Sequence, residues 1–426
     1  MDNAAHPIII DCDPGHDDAL ALLLAAGDPR LRLLGVTTVA GNQTLDKTTR
    51  NALRILALAG VSGVPVAAGC DRPLAGTLVV ADDIHGASGL DGPDLDVPVA
   101  EAENVHAVEL MRRLLVGSAE PVTLIATGPL TNVASLLREH PEVIPYVRRV
   151  VFMGGSTERG NTTPYGEFNI VTDPEAADIV LRSGLPQTMI GLNVTHRAPA
   201  TTEIIAEFRG LGTRLGTVCA ELMTYFARTY HRVFGFEHPP VHDPIAVAAV
   251  IDPSIVHTVA APVAVELTGT HTRGATVVDL HRRTTLAPNA DVAVGLEVDA
   301  FWRLLMASVR TLGRPHTGPR VRLRVLPDYH CWALWISGPD VYDNIAPDTL
   351  PLTAELAAGL DGWADEYTAT LNDEDPKTSG FASPQEESRF IERGRDLARQ
   401  VRAQLDDTWT VTYFDLGLRR DVEIAG

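Results

Sequence analysis

Short apolar runs rich in β-branched residues recur through the first half of the chain. They read HPIIIDCD (6–13), LLGVTTVAG (33–41), VPVAAG (64–69), PVTLIATG (121–128), RRVVFMGG (148–155) and QTMIGLN (187–193). Each is apolar along its length instead of alternating, and each closes on Gly, Asp or Asn, the pattern of strands in a parallel sheet covered on both faces. Between them the pattern predicts helices over 17–26, 46–59, 104–116, 129–138 and 173–183, several opening on Asp or Asn and closing on Gly. The fold class that follows is α/β, an open, mostly parallel sheet flanked by helices. Ligands of such sheets bind outside the carboxyl ends of the strands. That rule singles out Asp11 and Asp13, Gly41–Asn42, Thr127–Gly128 and Gly154–Gly155.

Near residue 315 the texture changes. Four of the five tryptophans (Trp332, Trp335, Trp363 and Trp409) fall in the last quarter, after the Pro- and Gly-rich stretch LGRPHTGPR (312–320). We therefore expect a domain over 1–315 and a small α+β module over 316–426. The module reads strand (HCWALWIS), helix, helix, strand (WTVTYFD). Its first helix carries a stripe of Leu352, Leu356, Leu360, Trp363, Tyr367 and Leu371, and its second opens on Ser383, Pro384 and Glu386 and runs to about 405. The aromatic residues are those of a small core.

The composition, 45% hydrophobic over 426 residues, suffices for a sizeable core, and no uncharged apolar stretch is long enough to cross a bilayer. A formal charge of -20 argues against a nucleic-acid partner, which would require clustered Lys and Arg. A neutral or cationic small substrate suits it better. Four scattered cysteines offer neither a zinc site nor a disulfide framework. The N-terminus lacks the pattern of a secretory signal, so the expected location is cytoplasmic.

Four carboxylates, Asp11, Asp13, Asp17 and Asp18, crowd the turn after the first strand. Like charges this close repel unless a cation sits among them or some stay protonated. Helix capping accounts for one or two of them. A phosphatase of the haloacid-dehalogenase kind also places Asp-x-Asp after its first strand, but no convincing GDxxxD segment follows. A hard cation held by several oxygens accounts for all the charge.

DCDPGHDDALALLLA resembles the motif of the nucleoside hydrolases, and further segments resemble that family in order: TTVAGNQTLDKTTRNA, VPVAAGCDRPL, IHGASGLDG, ATGPLTNVA, VVFMGGS, GNTTPYGEFNIVTDPEAA, MIGLNVTH and HDPIAVAAVIDP. The resemblance spans roughly residues 6 to 312. It implies hydrolysis of the N-glycosidic bond of ribonucleosides with a tightly held Ca²⁺ ion. By position the ligands would be Asp13, Asp18, the Thr127 carbonyl and Asp243, and Asp13 matches the residue that takes a proton from the attacking water. Asp17 and Asn42 would serve the 2′ side of the ribose, with Asn42 counted among the catalytic residues beside Asp13 and His242. Asn161, Glu167 and Asn169 would hold the 3′ and 5′ hydroxyls.

At the base end the resemblance implies His85 and His242, the latter as the acid toward the departing base, with Phe168 and the Tyr225/Tyr230 region as walls. It also implies a homo-oligomer, dimer or tetramer. The different-class alternative is a ribonucleoside sensor without catalysis on the same site; another N-ribosyl substrate is a further one. The preferred nucleobase is not fixed by these motifs. The C-terminal module lies outside the resemblance, and we expect it to govern assembly or access, not the chemical step.

Overall fold

The computed structural model describes residues 5–95, 97, 99–313, 321–337, 342–372, 375, 378–405 and 409–424. Of the boundary stretch 312–320, only Leu312 and Gly313 are among them. The described residues form two compact units, divided after Gly313.

The N-terminal unit is built on an eight-stranded sheet. Its strands are β1 (His6–Cys12), β2 (Leu31–Thr38), β3 (Val66–Ala68), β4 (Val122–Ala126), β5 (Val147–Met153), β6 (Gln187–Ile190), β7 (Val256–Ala261) and β10 (Ala290–Leu296), with β8 (Val263–Val265) and β9 (Thr276–Val278) forming a separate hairpin. The order is β3-β2-β1-β4-β5-β6-β10-β7, parallel throughout except for the edge pair β10–β7. The expected mostly parallel sheet is thus observed. The last two strands and the hairpin go beyond the sequence pattern, because the edge strand VHTVAA is exposed over its four central positions and lacks a buried strand's apolar run.

Both faces of the sheet are covered, as the continuous apolar runs require. On β1, Ile8, Ile10 and Cys12 point into one core, and Ile9 points into the other. The expected helices are seen at His16–Gly27, Leu45–Leu58, Ala107–Gly117, Thr131–Glu139 and Pro174–Leu181. His16–Gly27 is buried along nearly its whole length, which explains why ALALLLAA shows no polar face. The chain leaves β1 toward β2 and β3, then returns to β4 on the other side of β1. Strand order therefore reverses between β1 and β4, and their carboxyl ends border the crevice where such sheets bind ligands.

The C-terminal unit has a five-stranded sheet ordered β13 (Tyr342–Ile345), β12 (Leu334–Ser337), β11 (Val321–Val325), β14 (Trp409–Asp415), β15 (Arg420–Glu423). Three of these strands exceed the expected strand-helix-helix-strand pattern; β13 and β15 are four residues each and mostly polar. Helices Ala354–Thr368 and Pro384–Gln404 share a core with the sheet. Leu356, Leu360 and Trp363 are buried there, whereas Leu352 and Leu371 lie beyond the helix ends. Trp363 stacks on Phe390 and donates its indole N–H to the Phe390 carbonyl. Ser383 caps the second helix by accepting the Glu386 N–H at 3.2 Å.

Candidate active site

After β1 the chain turns through Asp13, Pro14 and Gly15 into helix His16–Gly27, whose first turn carries Asp17 and Asp18. A helix N-terminus offers unpaired N–H groups and positive potential, so carboxylates are favoured there. Asp18 accepts the Gly15 N–H at 3.0 Å, the Asn42 side-chain amide at 3.1 Å and the Thr127 hydroxyl at 2.7 Å. Asp13 accepts the Asn42 main-chain N–H through Oδ2 at 2.7 Å, and its buried Oδ1 has no hydrogen-bond partner among the described residues. A Cβ on Gly41 or Gly128 would overlap the Asp13 carboxylate, so the loops after β2 and β4 come this close only as glycine. Asp17 accepts the His242 N–H at 3.2 Å. Carboxylate oxygens of Asp17, Asp18 and Asp243 lie within 4.8 Å of one another.

Asp11, the fourth carboxylate of the motif, faces elsewhere. Its Oδ1 accepts the Thr37 hydroxyl at 2.7 Å and the Asn132 amide at 2.8 Å. It belongs to the packing of β1 against its neighbours.

Burial is the leading influence on every carboxyl of the cluster. It pushes Asp13 and Asp243 well above the ordinary carboxylate range, with repulsion from neighbouring aspartates adding to it, and raises Asp17 to about 7. Ionised together they would be held apart only at high cost, which a cation removes. The donor set is all oxygen; the group whose oxygens come together is Asp17, Asp18 and Asp243, so Asp17 stands in it where the motifs lead one to expect Asp13, and the Asp13 carboxyl lies outside it, repelled by Asp18 and Asp17. These residues fit a hard cation.

A cavity of about 300 Å³ is lined by Asp17, Asn42, His85, Thr127, Asn161, Glu167, Phe168, Asn169, Tyr230, His242 and Asp243. Asp13 and Asp18 do not line it; they join it through their bonds to Asn42 and Thr127. Glu167 caps the turn Phe168–Thr172, accepting N–H groups of Asn169 at 2.9 Å and Ile170 at 3.2 Å, and also the Gly155 N–H at 2.8 Å. Burial raises its carboxyl to about 7. The Asn169 amide donates to the Thr127 carbonyl at 2.7 Å and so fixes that carbonyl beside the cavity. Asn161 accepts the Phe168 N–H at 2.9 Å.

His242 is engaged at both ring nitrogens, Nδ1 by the Thr195 hydroxyl at 2.7 Å and Nε2 by the Tyr230 hydroxyl at 2.9 Å. Tyr230 is therefore more than a wall. Thr195, for which the motifs assign no role, lies 47 residues from His242, and only the fold joins them. Tyr225 does not line the cavity and stacks instead on His16, its place in the lining being taken by Phe226. Val79, Val80, Ala81, Ile84, Met153, Val233 and Phe234 belong to the apolar part as well. Apart from their hydrophobicity, Val79, Val80, Val233 and Phe234 carry no signal in the sequence.

Residues 8–303 match the family model described as inosine-uridine preferring nucleoside hydrolase. The pyrimidine-specific ribonucleoside hydrolase RihA of Photobacterium profundum is 49% identical over 303 residues, covering 71% of this chain and 97% of that one. RihA of Salmonella arizonae is 48% identical over 311 residues, 72% of this chain and all of that protein. The structure of a purine-preferring ribonucleoside hydrolase from Gardnerella vaginalis superposes with a TM-score of 0.67 at 33% identity, over 72% of this chain and 99% of that one. Residues 321–416 match a separate model, Serratia CdiI immunity protein-like. The motifs read in order from β1 to His242, the sheet and the extent of these matches agree: the chain belongs to the inosine-uridine preferring nucleoside hydrolase family, and its N-terminal unit is a ribonucleoside hydrolase.

Proposed function

We propose that the N-terminal unit hydrolyses the N-glycosidic bond of pyrimidine ribonucleosides to free base and ribose, with Ca²⁺ held by Asp13, Asp18, the Thr127 carbonyl and Asp243, and with Asp13 as general base. The observation that carries this reading is the group of three buried carboxylates, Asp17, Asp18 and Asp243, with the buried, unpartnered Oδ1 of Asp13 interacting with two of them, beside a cavity that also presents aromatic and apolar walls. The pyrimidine preference rests on the two relatives named above, which align over nearly their whole length.

When bound, the ion supplies a positive centre that polarises a water and the ribose hydroxyls. Asp13 Oδ1 accepts the proton of the attacking water, and its Oδ2 is kept in place by the Asn42 N–H. Asp17, Asn42, Asn161, Glu167 and Asn169 supply acceptors and amides for the sugar hydroxyls. The surrounding carboxylates favour the positive charge that develops on the ribosyl carbon. The Thr195–His242–Tyr230 chain holds a hydroxyl toward the cavity, through which the leaving base is neutralised. Burial keeps His242 well below its usual range, so its neutral form is the resting one.

A homo-oligomeric state is carried over from the family resemblance, and the expected location is cytoplasmic. Among the described residues, no helix is long and apolar enough to cross a membrane. For the C-terminal unit, the match over 321–416 supports a role of the immunity-protein-like kind, outside the reaction.

The test is a nucleoside panel with ribose release as the readout. Uridine and cytidine are expected to turn over faster than inosine, and chelation verified by calcium analysis should abolish release. Binding without ribose release would establish the sensor alternative, and undiminished turnover without calcium would overturn the ion's role.

A further inference from the structure

The hairpin β8–β9 lies outside the eight-stranded sheet, and the motifs read in the sequence do not reach it. It borders one loop of the site. Strand β5 ends at Met153, and the loop that follows, 154–166, carries Asn161 and leads into Glu167. Near the start of this loop the Thr276 hydroxyl accepts the Ser156 main-chain N–H at 2.8 Å and donates to the Ser156 carbonyl at 2.6 Å. At the end of the loop Gly166 forms an antiparallel bridge with Ala275. Two consecutive residues, 275 and 276, thus hold both ends together. They are themselves well anchored, since Val263 and Val265 of the paired strand are buried in the second core and Arg273 pairs with Glu175 at 2.7 Å.

What this closure sets is the seat of Glu167, which lines the cavity. The Gly155 N–H donates to Glu167 Oε2 at 2.8 Å, so donor and acceptor stand at opposite ends of the loop. Gly155 has a φ of +70°, and a Cβ on it would overlap Thr276 and Met189. A glycine in this region swings readily unless the peptide beyond it is held. That peptide is held on both sides: its carbonyl accepts the Leu192 N–H at 2.9 Å, and its N–H, that of Ser156, goes to Thr276. The Leu192 tie is main chain, whereas the Thr276 tie is a side-chain hydroxyl that substitution removes. Asn161 shares the same loop end, because its Oδ1 accepts the Phe168 N–H at 2.9 Å.

We infer that Thr276 is a positioning residue for the sugar side of the site: its hydroxyl fixes the Gly155–Ser156 peptide and, through the Gly155 N–H, the Glu167 carboxylate. The inference rests on the ribonucleoside hydrolase reading, with Glu167 and Asn161 at the ribose hydroxyls. It places the effect on recognition of the sugar and leaves the departing base untouched. A group that holds substrate and transition state alike acts on KM more than on kcat.

Thr276→Val keeps the branched shape and removes both bonds to Ser156, whereas Thr276→Ser keeps the hydroxyl. In the full chain, Thr276→Val should lower kcat/KM on uridine about three- to tenfold, mostly through KM, as befits the loss of one or two hydrogen bonds. Thr276→Ser should stay within about twofold of the wild type, and calcium content should not change in either variant. On p-nitrophenyl riboside, which has the same sugar and a leaving group that needs no proton, the loss in Thr276→Val should match that on uridine. On 3′-deoxyuridine or 5′-deoxyuridine it should shrink to less than about twofold, for whichever hydroxyl the Glu167 end of the site holds. Where turnover is too slow to follow, the inhibition constant against uridine gives the same comparison. Unchanged uridine kinetics in Thr276→Val, an equal loss in Thr276→Ser, a fall in kcat with KM unmoved, or one common factor on uridine and both deoxynucleosides would overturn the assignment. Should Thr276→Val not fold, Thr276→Ala serves in the same comparisons. A wild-type protein that releases ribose from neither uridine nor p-nitrophenyl riboside would instead overturn the ribonucleoside hydrolase reading itself.

Discussion

Tyr230 shows how a single side chain changes meaning between sequence and structure. Its position on the helix Arg214–Phe234 marks it as one more aromatic on a buried face, yet its hydroxyl completes the hydrogen bonding of His242. Burial, with the charges of Asp17 and Asp243, pushes that hydroxyl well above its usual range, so it stays protonated and able to donate. Tyr230→Phe removes the hydroxyl and leaves the ring packing intact. The expected outcome is a loss of about 10²-fold in kcat on substrates that need a proton at the base, within the range for one acid–base group. Turnover of p-nitrophenyl riboside should be nearly unchanged. Equal losses on the two substrates would reduce Tyr230 to a support for His242. Asp11 carries the opposite lesson. It shares β1 parity with Ile9, whose side chain points into the second core, whereas Asp13 lies past the strand end. The end of the strand, not alternation along it, thus separates the two carboxylates, and the crowding of four aspartates in the motif conceals it.

At the scale of elements, legibility follows burial. Strands β1 to β6 are each found by an apolar run, because the stretch that is covered on both faces is apolar even where β2 and β5 open on arginines. Strand β7 faces outward over most of its length, and its pairing with β10 depends on contacts that no local pattern encodes. The junction of β1 with its helix also governs stability. Asp17 and Glu167, raised to about 7, and Asp13 and Asp243, raised in the same direction by burial, hold protons in the folded metal-free chain that the unfolded chain has already released. Folded-state stability therefore falls as pH rises through those values. Buried His16, His85 and His242 have the opposite sign: their folded values lie below 6.5, so they favour folding increasingly up to that pH and no further beyond it. Above about pH 6.5 the carboxylates act alone, and the values of Asp17 and Glu167 place the remaining loss between there and about pH 8. There the melting temperature of calcium-free protein should drop with rising pH, and added calcium should raise it more at about pH 8 than at about pH 6, because protons compete with the ion. Melts at matched ionic strength check this. A calcium effect that weakens with rising pH would contradict an ion held by these carboxylates.

For the whole molecule, the question is whether the reaction needs the C-terminal unit. The Salmonella relative aligns along its entire length with 311 residues of this chain, so a complete protein of the family lacks any counterpart to residues 321–424. The unit has its own core around Trp363, Phe390 and Tyr413, and the sheet of the N-terminal unit is complete without it. Every side chain placed in the proposed chemistry, from Asp13 to Asp243, lies before Gly313. The sequence signals this division by its shift in tryptophan content, but the strands β11, β13 and β15 stay hidden in it because short, charged or polar runs carry little of the period that reveals a strand. A chain ending at Gly313 is therefore expected to fold, to load calcium to the same stoichiometry and to keep kcat on uridine within about threefold of the full chain, as befits a domain with its own core. Circular dichroism, calcium analysis and ribose release measure the three. If the shortened protein is folded and calcium-loaded but releases no ribose, the C-terminal unit contributes a residue to the reaction, and the confinement of the site to the N-terminal unit is wrong.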